Sequence, residues 1–71
     1  MATKNLKSVL LSLRMENGSI RGIAKGEFTV EDVASGSTLI DLDADTSLTD
    51  AKAAIIAKME EGGHTVVDET S

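Results

Sequence analysis

The chain has no cysteine, no proline, no tryptophan and no tyrosine, and Phe28 is its single aromatic residue. Without cysteine no disulfide can brace the fold. With His64 the sole histidine, no Cys/His zinc set can form either. Stability must come from packing or from a partner subunit. An intracellular or virion protein is the expected context for such cysteine usage. The lack of aromatics argues against stacking on nucleic acid or sugar, and against an interface built on aromatic anchors. The lack of proline excludes a polyproline linker. No apolar run approaches the ~18 residues of a membrane span. The start, "MATKNLKSVLLSLRM", is interrupted by Ser8, Ser12 and Arg14, so it has no clean signal-peptide core.

Seventy-one residues allow one domain with a thin core. The net charge of −5 hides an asymmetry. Residues 1–26 carry Lys4, Lys7, Arg14, Arg21 and Lys25 against Glu16 alone, whereas residues 27–71 carry eleven acids against Lys52 and Lys58. Such polarity can steer partners or drive head-to-tail self-association; two solvated surfaces of opposite sign in one fold are the favoured explanation.

Periodicity predicts an α+β fold: a three- to four-stranded, mostly antiparallel sheet with one helix on one face. A hairpin is expected over residues 6–28, because Asn17-Gly18 suits a type I′ turn between two β-like runs. That turn sets the register, with Glu16 facing Ser19, Arg14 facing Arg21 and Leu11 facing Ala24. Alternation places Val9, Leu11, Leu13, Met15, Ile20 and Ala24 on the core side. Leu10, Ser12, Arg14, Arg21, Ile23 and Lys25 fall on the outer side. Gly22, Ala24 and Gly26 would leave a shallow lane on the core side where a helix could lie close.

Residues 27–33 read as a continuation or a third strand, residues 34–38 as a loop, and residues 38–44 as a strand. A helix is expected over 47–61, capped by Ser47 with Asp50 at the third position and ended at Gly62. A last short strand is expected at 64–68, and a loose tail at 69–71. Phe28, Ile40, Leu42, Leu48, Ile55, Met59 and Val66 complete the expected core.

Three clusters invite a functional reading. The first is "DLDADTSLTD", residues 41–50. Asp41, Asp43, Asp45 and Thr49 fall at ligand positions of a calcium loop, but Thr46 stands where glycine belongs and Lys52 where the bidentate Glu belongs. A strand face leading into an acid-favouring helix N-terminus explains the same acids. No metal or other cofactor is therefore expected, and a weak divalent-metal-responsive module is the least favoured alternative.

The second is the pair Arg14 and Arg21, which the register puts directly opposite each other. Like charges so placed need a neighbouring acid or a bound anion. The small number of basic residues and the net negative charge argue against nucleic acid. The third is Leu10 with Ile23 on the same outer face, apolar side chains flanked by charge.

No nucleophile–base–orienter set is present, and His64 lies alone at a turn. The expectation is a non-enzymatic protein-interaction or structural accessory module, cytoplasmic or virion-associated, of the size of phage and prophage accessory subunits. It would act through Leu10, Ser12, Arg14, Arg21, Ile23 and Lys25, by homo-oligomerising or by docking on a larger protein. The alternative is an acidic inhibitor that mimics nucleic acid in a basic groove.

Overall fold

Four strands and one helix follow the order β1 (Thr3–Glu16), β2 (Ser19–Val30), β3 (Ala34–Asp43), α1 (Leu48–Glu60) and β4 (Thr65–Asp68) in a computed structural model that describes residues 2–70. The fold is α+β. The sheet order is β3-β2-β1-β4, antiparallel except for the parallel β1–β4 pair. Helix α1 packs on one face and leaves the other bare.

Asn17 and Gly18 make the hairpin turn, both at positive φ (51° and 79°). This is the conformation that an Asn-Gly pair adopts most easily, and its two-residue length sets the register. Glu16 faces Ser19, Arg14 faces Arg21 and Leu11 faces Ala24, as the turn predicts. The pairing slips between Leu6 and Ser8, where Lys7 is an extra residue in β1. A bulge of this kind reverses the alternation. Leu6 thus joins Val9 and Leu11 on the helix side although it has the opposite parity.

Residues 34–38 form a strand, not the loop expected from "ASGST". The loop lies earlier, at Glu31–Val33. Glu31 and Asp32 both have positive φ (50° and 59°), and the Val33 N–H donates to the Val30 carbonyl at 3.0 Å. A second tight turn thereby feeds β3 back along β2, with Ala34 opposite Val30 and Asp43 opposite Arg21. The expected loose tail is also held at its start. Glu69 N–H donates to the Leu6 carbonyl at 2.9 Å, and Thr70 N–H to the Asp68 carboxylate at 3.0 Å. Ser71 lies outside the described residues.

The core consists of Leu6, Ala24, Phe28, Ala51, Ile55 and Met59. Val9, Leu11, Val30, Ile40, Leu42, Ile56 and Val66 pack around it half-buried. Ser47 caps α1, accepting a hydrogen bond from the Asp50 N–H at 3.1 Å. At Gly26 a Cβ would lie 2.5 Å from Ile55 Cγ2, so this glycine lets the helix sit against β2.

Leu13, Met15, Ile20 and Leu48 do not join the core. They are 62%, 76%, 54% and 55% exposed. The reason is length. A 13-residue helix covers ~20 Å, whereas a 14-residue strand, even twisted and bulged, runs about twice as far. The hairpin therefore projects beyond α1. The molecule measures 40 × 23 × 17 Å, and the apolar side chains near the hairpin tip have nothing above them.

Candidate interaction face

The bare face of the sheet is ordered in rows by the strand register. Leu10, Lys25 and Leu39 form one row across β1, β2 and β3. Ser12, Ile23 and Asp41 form the next, and Arg14, Arg21 and Asp43 the one beyond it. On the other side of the Leu10 row lie Ser8, Glu27 and Ser37.

The six residues expected to share this face, Leu10, Ser12, Arg14, Arg21, Ile23 and Lys25, are thus neighbours. Leu10 and Leu39 are each 62% exposed, on either side of Lys25. Ile23 is half-buried between its flanking strands. The result is an apolar trio around a lysine stem, framed by charge. Leu39 was missing from the sequence-based face. Its own alternation placed it with Asp41 and Asp43, but only the pairing of β3 against β2 brings it beside Lys25.

The Arg14–Arg21 opposition is relieved inside the fold. The Arg14 guanidinium lies 3.4 Å from the Glu16 carboxylate and 3.8 Å from that of Asp41, reaching across β2. A bound anion is not needed to explain the pair. The same contact ties up Asp41. Asp41 and Asp43 lie on β3, Asp45 in the turn after it, and Thr49 in the first turn of α1. Among the described residues, no group of three or more His, Cys, Asp or Glu side chains is placed to hold a metal ion.

The end of the bare face near β4 is polar and closed by ion pairs. Glu69 accepts from Asn5 Nδ2 at 2.6 Å and from Lys7 Nζ at 2.7 Å, and Lys7 also lies 3.5 Å from Asp32. These contacts pull the Glu69 carboxyl below its ordinary value, Lys7 first, and raise Lys7. On the helix side of the same edge, Lys52 lies 2.9 Å from Asp68, which also accepts from Thr70. Lys52, then Thr70, hold the Asp68 pKa down to about 2. Asn5 is buried, and its Oδ1 and the neighbouring Thr29 Oγ1 have no hydrogen-bond partner among the described residues.

On the helix side, a cleft of about 340 Å³ opens at the β1 bulge, below the first turn of α1. Val9 and Leu48 form its apolar wall, and Lys7, Lys52 and Thr70 its rim. Both lysines are already paired, as described above. His64 folds back near Gly62, half-buried, and its Nδ1 is shielded without a partner among the described residues. Among the described residues, no helix is long and apolar enough to cross a membrane. In comparisons with known proteins, no family model, no curated protein and no solved structure matches this chain.

Proposed function

We propose that the protein is a non-enzymatic interaction or structural accessory module that works through the bare face of its sheet. The observation that carries this reading is the row Leu10–Lys25–Leu39 with Ile23 beside it, an apolar patch with no element of the fold above it. Exposed apolar side chains gathered in one place and rimmed by charge are typical of a protein contact. The charge frame would set orientation, with Arg14, Arg21, Asp41 and Asp43 toward the hairpin tip and Glu27 on the opposite flank. Size and composition suit a small accessory subunit such as phages and prophages encode, acting in the cytoplasm or the virion. It would act as a homo-oligomer or docked on a larger protein.

The test is molar mass by light scattering after size exclusion, for wild type, Leu10→Glu and Ile23→Glu. With no Trp or Tyr, concentration is read by refractive index. An assembly of defined mass that both substitutions dissolve, in chains that keep their circular dichroism, supports the reading. An assembly that survives both places the contact elsewhere.

A further inference from the structure

The sheet also has an open edge, and the two edges are not alike. Strand β4 pairs only with Thr3–Leu6 of β1. From Ser8 to Glu16 the outer edge of β1 has no neighbouring strand among the described residues. In a two-residue hairpin the pair flanking the turn exchanges both backbone hydrogen bonds. Glu16, Arg14, Ser12 and Leu10 therefore direct their N–H and C=O groups to β2. Val9, Leu11, Leu13 and Met15 direct theirs outward.

These outward residues are all apolar, and their side chains lie on the helix side. The β3 edge differs. Asp41 and Asp43 stand at alternate positions on it, and like charges there repel a second strand of the same kind. The β1 edge carries no such guard, since Arg14 is already engaged with Glu16.

We infer that β1 pairs antiparallel with β1 of a second copy of this chain about a two-fold axis through Ser12, forming a continuous sheet across the dimer. This surface is separate from the bare face, so the inference does not depend on the function proposed above. The register follows from parity. Only outward-directed residues can exchange hydrogen bonds, so odd positions must oppose odd positions. Centring on Ser12 sets Leu11 against Leu13 of the second copy and Val9 against Met15.

That register also accounts for the side chains that α1 leaves uncovered. Met15 of the second copy arrives beside Val9 and Leu48, at the apolar wall of the cleft. The helix of one copy then shelters the hairpin tip that the other copy's helix is too short to reach. Leu13, Met15 and Leu48 all lose exposure together. In the same register Glu16 falls beside Ser8 of the second copy and Arg14 beside Leu10. Strand addition at an open edge is a common mode of association.

The chain has no cysteine, which makes a single introduced thiol a clean probe. In the inferred dimer Ser12 faces its own mate in a non-hydrogen-bonded pair. Such pairs have Cα atoms about 4.5 Å apart, within the range a disulfide requires. Ser12→Cys, oxidised at micromolar concentration, is expected to form a disulfide dimer at least about tenfold faster than Ser35→Cys on the other edge.

Leu13→Pro added to Ser12→Cys removes one outward N–H and no bond to β2, so it should abolish the excess rate. Leu13→Lys, which keeps the donor but places a charge in the seam, should do the same if the proline disturbs the strand. Ile23→Glu should leave the rate unchanged. Equal rates for Ser12→Cys and Ser35→Cys overturn the inference and leave the bare-face reading intact. A fast Ser12→Cys rate abolished by Ile23→Glu but not by the Leu13 variants also overturns it, and moves the self-contact to the bare face.

Discussion

Gly26 shows how much a single absent side chain can decide. It faces the helix in β2, and the space a Cβ would need is taken by Ile55, itself fully buried. Gly26→Val should cost about 1–3 kcal/mol, because the helix must lift or the side chains leave their rotamers. The urea midpoint measures this directly. Asp68 contributes to the acid dependence of stability. Its pKa is lowered from 3.8 to about 2, chiefly by Lys52. The stabilisation this provides is therefore complete above pH 3.8 and lost as pH falls through about 2. Glu69, lowered from 4.5 mainly by Lys7, acts in the same direction. The thermal midpoint of the wild type should fall over that interval. Asp68→Asn should start lower, fall less steeply, and meet the wild type in strong acid.

Among the elements, the two turns differ in how openly the sequence declares them. Asn17-Gly18 declares its turn by residue type, and the register of β1 and β2 followed from it without further information. Glu31-Asp32 adopts a similar left-handed pair of conformations with residues that do not favour it. The turn was consequently invisible, and the glycine and serines of 34–38 drew the loop to the wrong place. Replacing Glu31 by Asn and Asp32 by Gly should stabilise the protein by about 1 kcal/mol or more through relief of backbone strain. The cost of losing the exposed Asp32–Lys7 contact is small. The gain should appear as a higher urea midpoint with an unchanged slope.

The helix was legible from its cap and its spacing, but the glycine that adopts the left-handed conformation after it is Gly63 (φ 80°), one residue beyond the expected Gly62. The core was legible in part. Alternation placed Leu13, Met15 and Ile20 on the correct face, but a face is not a core unless something covers it. No local pattern reports that β1 outruns α1. Leu6 was missed for the complementary reason, because the bulge at Lys7 breaks the alternation that would have identified it. The face itself was legible as six residues. Leu39 was not, since its neighbours are set by a strand pairing distant in sequence.

At the scale of the whole molecule, one helix lies on one side of a long sheet, so half the sheet's surface and the end of the hairpin remain uncovered. A 71-residue chain cannot enclose a strand pair of this length. Of the apolar side chains left outside, Leu10 and Leu39 lie on the bare face and Leu13 and Met15 along the open edge of β1, while Ile20, Val33, Leu48 and Val67 are exposed elsewhere. The charge separation runs across both, with basic residues on the hairpin and acids on β3 and beyond. Under the function proposed above, contact with a partner would cover the bare face.

The most direct test is acylation of lysines followed by mass spectrometry, comparing Lys25 with Lys58. Lys25 lies at the centre of the patch, and Lys58 is exposed on α1 near its C-terminal end. The protein is labelled alone at nanomolar and at high micromolar concentration, and again in an extract of the cells that make it. Labelling of Lys25 should fall, relative to Lys58, in the concentrated sample or in the extract, and Ile23→Glu should restore it. A Lys25-to-Lys58 ratio that stays constant under all three conditions would contradict the account.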